Sequence, residues 1–319
     1  MTASSHVRRR GGLRALTFAT LAALAAGVAD AQPAAGCDRA CLTGFIDAYF
    51  AALIANDAKK LPQAAKARIT ENGAEKPLAA TLWDSAAETA YRFDVVNVRR
   101  GDTGTQAVIR NADGSKTMFM VRLKVHNGAI TEIETIRANQ GEADRLWDPD
   151  RILREPPTNF QFSIREAERD SYYDLIGAAE SYWRAFQTNG TPSYHRARLL
   201  PDSRRFENGL QTTGLMRDGV FNDTAKGFDE GRFIGRNIWD RRYPVVDEER
   251  GVVLSIVRFG LKSGAKSQSV ATSNDRLVAE FFAIRHGYIE EIQAVLFNLP
   301  DAKPTGWPAW YGPGRGATE

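Results

Sequence analysis

Two cysteines and four histidines in 319 residues leave little from which to build a metal centre. One of the four, His6, lies in the extreme N-terminal stretch. No second Cys/His pair accompanies Cys37 and Cys41, so no metal is expected. There is no phosphate-cradling P-loop, no dinucleotide fingerprint, no G-x-S-x-G elbow and no HExxH. The chemistry that those motifs serve therefore drops out. Charge of one sign is scarce as well. The chain carries 42 Lys and Arg against 39 Asp and Glu, and residues 1–31 alone hold four Arg and one Asp, which accounts for the whole excess. The remainder is neutral, which leaves no electrostatic footprint for nucleic acid.

Long apolar runs are missing too. The best one, residues 16–28, falls short of the roughly 20 residues that a bilayer crossing needs. It follows the basic cluster Arg8, Arg9, Arg10 and Arg14 and precedes Ala29-Asp30-Ala31, the order of a secretory leader cleaved after Ala31. Export by the general or the twin-arginine route fits equally. The expectation is a periplasmic or secreted protein with no stable membrane insertion. In an oxidising compartment Cys37 and Cys41, four apart on one helix face, are expected as a local disulfide, with free thiols the alternative.

What is present is a pattern written twice. Thr70-Glu71-Asn72-Gly73 returns as Phe206-Glu207-Asn208-Gly209, and residues 125–133 (VHNGAITEI) return as residues 284–292 (IRHGYIEEI). The first offset is 136 and the second 159, which places an insertion of about 23 residues in the second copy. Apolar residues at helical spacing run from Leu42 to Ile54 and again from Tyr172 to Phe186, each ended by an Asn-containing stop. Each half ends in alternating runs around Asn127-Gly128 or His286-Gly287, the signature of hairpins. Residues 147–159, with Pro149, Pro156 and Pro157, lack a sustained period and read as linker. The expected class is α+β: two tandem modules, 37–146 and 166–300, each a helix pair followed by an antiparallel sheet, joined by 147–165. Residues 210–236 form a lid-like insertion and 301–319 an irregular aromatic tail.

The long amphipathic helix, the ENG segment and the terminal "hydrophobic-x-Gly-x-Ile-x-Glu-Ile" hairpin together resemble the SnoaL-like, NTF2-like superfamily of cone (cystatin-type) folds. That resemblance covers residues 37–140 and 170–300. It implies a pocket between curved sheet and helix, chemistry without metal or organic cofactor, and a pair of modules that mimics a dimer, as a monomer or as a homodimer of the chain. The superfamily includes isomerases, cyclases, dehydratases and lyases as well as plain binding modules. The implied activity is that of a lyase, isomerase or hydratase acting on a small apolar or aromatic molecule such as a polyketide, terpenoid or lignin-type compound. The alternative is a non-catalytic binder using the same pocket.

Several side chains are candidates for that chemistry. Glu71 and Glu207 are carboxylates at matching places, suited to proton transfer if withdrawn from water, or else turn residues that serve the local backbone. Glu280 stands where the other copy has Val121, on a strand apolar on both faces; it reads as a site acid or base, or as the partner of a cation such as Arg258. Trp239, Asp240, Arg241 and Tyr243 form an anion-binding or acid/base cluster, or a solvated strand end. Tyr91 belongs to the corresponding first-copy segment. His195, beside Tyr194, is a base by its ordinary pKa but lies between elements. His126 and His286 read as turn residues. Tyr182, Trp183 and Phe186 offer an aromatic lining. The asymmetry of Glu280, the insertion and the Trp239–Tyr243 cluster places the working pocket in the second module.

Overall fold

In the computed structural model, residues 37–142, 145–262, 275–299 and 305–308 are described. The proposed leader and most of the tail lie outside them. No helix among the described residues is long and apolar enough to cross a membrane.

Helix α1 (Arg39–Ile54) begins where the Asp38 side chain accepts a hydrogen bond from the Cys41 N–H at 2.8 Å, satisfying a donor that the first turn leaves open. Cys37 and Cys41 form a disulfide across that turn, with Cα atoms 5.3 Å apart. There follow β1 (Gln63–Glu71), β2 (Ala74–Glu75), β3 (Ala86–Asn97), β4 (Asp102–Asn111), β5 (Lys116–His126) and β6 (Ala129–Ala138). They form one sheet in the order β2-β1-β6-β5-β4-β3.

The second half has α2 (Pro149–Arg154), α3 (Tyr172–Thr188), β7 (Leu199–Glu207), β8 (Leu210–Thr213), β9 (Leu215–Arg217), β10 (Val220–Asn222), α4 (Lys226–Asp229), β11 (Arg236–Asp247), β12 (Val252–Leu261), β13 (Arg276–Arg285) and β14 (Tyr288–Asn298). Its main sheet runs β11-β12-β13-β14-β7-β8, the same connectivity as the first. The protein is therefore α+β with two six-stranded sheets.

The structure corrects three expectations. The sheets are mixed, because β1 lies parallel to β6 and β7 parallel to β14. In each half the chain between the first long strand and the meander is long enough to return it to the far edge, so the first strand lies beside the last and runs the same way. Each half carries one long helix, not two; in the first half the stretch before β3 folds into short 3-10 turns, Leu78–Ala80 and Leu82–Asp84. The linker is not featureless either. Asp148 caps α2 and Pro149 occupies its first turn, where a missing N–H costs nothing.

The turns follow from the sequence. Asn72 and Gly73 have φ of 51° and 77°, Asn208 and Gly209 45° and 85°, the left-handed pair that closes a two-residue hairpin. Asn127-Gly128 and His286-Gly287 do the same, so both histidines sit in turns.

Four layers result. Helix α1 covers one face of the first sheet through Ile46, Tyr49 and Leu53, packed on Phe119, Val121 and Leu123. Helix α3 covers one face of the second through Leu175, Tyr182 and Phe186, packed on Val278 and Phe282. The opposite faces of the two sheets share a third core, with Met118 and Met120 from one and Phe281 and Val295 from the other. Phe93 meets Phe281 edge to face, ring centroids 5.0 Å apart. Linker residues Ile152 and Phe160 are buried in this layer. Polar links cross it: Arg242 to Glu134, Gln106 to Gln293 and Arg39 to Asp247.

The segments that follow each sheet are exchanged. After β6, the N–H of Asp148 bonds the Asn208 carbonyl at 3.0 Å. After β14, Arg68 donates to the Gly306 carbonyl at 2.6 Å and Trp307 Nε1 to Thr70 Oγ1 at 2.8 Å. Each half thus lays its closing segment on the ENG hairpin of the other.

Candidate functional site

Across the first sheet, Val121 pairs with Thr135 and Thr135 with Glu71. Across the second, Glu280 pairs with Ala294 and Ala294 with Glu207. The rows match position for position, and both face the helix. Alternation along β13 puts Arg276, Val278, Glu280 and Phe282 on one side, and along β7 it puts Arg205 with Glu207. In the first half this row is closed: Glu71 is buried, accepts from Leu82 N–H at 2.9 Å and Lys76 at 3.0 Å, and is ion-paired with Arg137 at 3.3 Å. Trp83 and Tyr49 stand edge to face beside it, centroids 5.8 Å apart. Glu71 is therefore held as a structural carboxylate.

In the second half the same space is a cavity of about 190 Å³. Tyr182, Trp183 and Phe186 of α3 form one wall, and Arg205, Glu207, Val278, Glu280 and Leu296 of the sheet form the other. Phe233 of the insertion, Phe259, Arg236, Arg276 and Leu146 complete it. Trp183 is fixed by a hydrogen bond from Nε1 to Ser255 Oγ at 2.9 Å. Phe186 meets the rings of Phe228 and Phe233 of the insertion at 4.7 and 4.6 Å. The insertion therefore packs over the mouth of the helix–sheet space instead of trailing into solvent, while its β9–β10 hairpin stands apart with Met216 and Val220 exposed.

Glu280 is 4 % exposed, and its Oε2 has no hydrogen-bond partner among the described residues. Burial pushes its carboxyl up to about 8; Arg205 opposes that shift and the Glu207 charge reinforces it. Glu280 is consequently a neutral acid at pH 7. Arg258 is not its partner: that guanidinium pairs with Asp275 at 2.7 Å and lies over the Trp239 ring. Arg205 reaches Glu207 at 3.6 Å and donates to Tyr182 Oη at 3.1 Å. Because Tyr182 accepts that bond, its own O–H proton is left to donate. Burial holds the phenol well above its ordinary value, with Arg205 pulling the other way.

The structure brings together Glu280, Glu207, Tyr182, Trp183 and Phe186, and leaves the other candidates outside the cavity lining. Arg241 and Tyr243 both bond Glu180 of α3. Asp240 sits at φ 53° where the β11 register shifts, a bulge that re-aims this stretch. Tyr91 donates to the Pro157 carbonyl at 3.2 Å, between the first sheet and the linker. The backbone of His195 bonds Thr188 Oγ1, and its ring is not part of the lining. Arg205, Arg236, Arg276 and Phe259 escaped the sequence reading, whereas Phe233 belongs to the lid-like insertion that the sequence pointed to. Only Arg205 carried a local signal, standing two residues before Glu207 and so on the same strand face.

A family model described as a domain of unknown function (DUF8021) matches residues 168–296, the stretch that contains α3 and the second sheet. No curated protein matches the chain. Among solved structures, an NTF2-like protein of unknown function from Shewanella baltica OS155 is 8 % identical, covering 31 % of this chain and 92 % of that one at a TM-score of 0.24.

Proposed function

We propose that the chain is an exported pair of NTF2-like modules whose second half performs acid/base chemistry, without a cofactor, on a small apolar or aromatic molecule. The observation that carries this reading is Glu280: a protonated carboxyl aimed into an aromatic-walled cavity, one oxygen unpartnered. A structural carboxyl buried at such cost normally finds a partner. Left without one, it is poised to donate to a ligand oxygen.

The size fits one substituted ring, since a cavity of roughly 150 Å³ already accepts benzene. Glu207 and Glu280 lie two strands apart, roughly 10 Å at the backbone. Glu207, paired with Arg205, is the proton acceptor; Glu280 and the Tyr182 hydroxyl donate to the oxygen on which negative charge develops. Two carboxyl groups in such different surroundings, one paired with an arginine and one buried without a partner, suit proton abstraction next to a carbonyl, hence isomerisation, elimination or hydration.

The test is a cofactor-free turnover screen over ring compounds bearing a carbonyl or hydroxyl group, comparing wild type with Glu280→Gln. The variant should keep its circular-dichroism spectrum and its ligand affinity within a few fold while turnover falls at least a hundredfold. Equal turnover in both proteins defeats the assignment. Saturable binding with no turnover in either one establishes the non-catalytic binder instead.

A further inference from the structure

The sheet under the cavity is a strand short at one edge. Strand β7 follows β14 only as far as Glu207, which stands beside Ala294. At Leu296, two residues farther along β14, the Asn208 side chain takes the place of a neighbouring strand. Its Oδ1 accepts from the Leu296 N–H at 3.0 Å and its Nδ2 donates to the Leu296 carbonyl at 3.1 Å. The Asn208 carbonyl in turn accepts the N–H of Asp148 at 3.0 Å, which draws the linker in beside that edge. The two backbones are in contact there, since a Cβ on Gly209 would lie 2.2 Å from the Asp148 carbonyl oxygen. The linker behaves as an edge of its own. Leu146 packs into the core under α3, whereas the next residue, Trp147, packs into the core between the sheets. Among the described lining residues of the cavity, Leu146 alone comes from before α3.

We infer that Leu146 is a specificity-determining residue of this cavity, the side wall that confines its ligand to a single unfused ring bearing an oxygen substituent. The inference rests on the proposed ligand-binding role of the cavity and specifies what it takes. Val278 and Glu280 follow one another on one face of β13, roughly 7 Å apart at their Cα atoms. Val278 pairs with Leu296 across the sheet. A ligand oxygen that accepts from Glu280 therefore leaves the ring over Val278 and Leu296. Trp183 and Phe186 of α3 cover that ring from the other side, and Leu146 stands at its flank. The cavity of about 190 Å³ holds one ring with its substituent. A second ring fused to the first would have to extend past Leu296, into the space that Leu146 fills. Because Asn208 and Asp148 pin the linker, that wall cannot swing aside without breaking backbone hydrogen bonds.

Acetophenone and acetonaphthone carry the same carbonyl on one ring and on two fused rings, which makes them the probes. Their affinities are measured by calorimetry at pH 7. The wild-type chain should bind acetophenone at least tenfold more tightly than acetonaphthone. Leu146→Ala, which trims the wall back to its Cβ, should bring the two to parity or reverse the order. Leu146→Phe should weaken acetophenone binding at least tenfold, and it supplies the readout in the opposite direction should the alanine variant fail to fold. Ile152→Ala is the control: it loosens the same linker from the core between the sheets, away from the cavity, and should leave the preference unchanged. A preference that survives both Leu146 variants, or that Ile152→Ala erases equally well, overturns the specificity assignment and leaves the ligand-binding reading standing. If neither probe binds the wild type or Leu146→Ala, both fall.

Discussion

Arg242 of the second half grips Glu134 of the first, Nη1 to Oε2 at 2.9 Å, with side-chain exposures of 6 % and 2 %. The pair lies between the two sheets, where neither charge can turn to water. Glu134 also accepts from Arg122 Nε at 2.9 Å, and Arg122 bonds Asp102. Burial raises the Glu134 carboxyl, but Arg242 and Arg122 more than reverse that and hold it below the ordinary carboxylate range. Arg242→Met should therefore destabilise the fold, with about 3–5 kcal/mol as the ceiling, since it leaves the buried Glu134 with only Arg122, a cation shared with Asp102 and Glu132. Because the folded value is depressed, this stabilisation is present above the ordinary carboxylate pKa and is lost as pH falls through the folded one. Chemical denaturation at pH 7 and pH 3 should show the variant's deficit shrinking at the lower pH.

Glu280 gives the opposite sign. Its folded carboxyl titrates at about 8 against an ordinary 4.5, so the folded chain holds a proton that the unfolded one has released between those values. Stability from this group is fully present below about pH 4.5 and falls as pH rises toward 8. Glu280→Gln cannot ionise. It should be more stable than wild type at pH 8 by roughly 2–4 kcal/mol, with the gap closing by pH 4. Melting curves across that range decide the matter; a gap that does not change with pH refutes the burial argument.

Two turn glycines should respond very differently to the same change. Gly209 and Gly287 have φ of 85° and 76°, so alanine is strained at both. At Gly287 a Cβ meets nothing within 4 Å, whereas at Gly209 it would lie 2.2 Å from the Asp148 carbonyl oxygen. Gly287→Ala should cost about 1 kcal/mol. Gly209→Ala should cost considerably more, because the linker strap must lift away. Comparable melting temperatures for the two would show that the strap contributes little.

Phe233 closes the cavity against Phe186. Phe233→Ala should raise the dissociation rate of a bound aromatic probe at least tenfold and lower its affinity, while the melting temperature falls only a few degrees. Stopped-flow release measures this directly.

Local rules made much of this architecture legible. Asn-Gly and His-Gly dictate their turns, helical spacing marks α1 and α3, and alternation marks the terminal hairpins. Glu280 could be singled out because the matching position holds Val121, and the paired registers place the two residues at the same point of their sheets. What stayed hidden depends on encounters distant in the chain. The parallel pairing of β1 with β6 leaves no trace in either strand alone. Strands apolar on both faces, such as β12, announce two covers without saying that the second is another sheet. The Trp239–Tyr243 run attracted attention by composition, but register shifts on either side of Arg242 send Arg241 and Tyr243 to Glu180 and Arg242 to Glu134. Arg236 and Arg276 are 40 positions apart and meet only because β12 lies between their strands.

The exchanged closing segments have a consequence for how the two halves can change. Residues 305–308 end on the Thr70–Gly73 hairpin, and Asp148 ends on the Asn208–Gly209 hairpin. Excising either half from the gene would remove the clasp of the survivor along with it. The first half's own hollow, lined by Phe50, Ile54 and Arg92, lies open to solvent, and its Thr70–Gly73 hairpin is the ledge on which the segment after β14 is fastened. Substitutions at Arg68 or Thr70 would therefore be felt around β14, more than two hundred residues away in sequence. In the language of inheritance, the two halves must change together: each is kept in shape by what its neighbour lays across it.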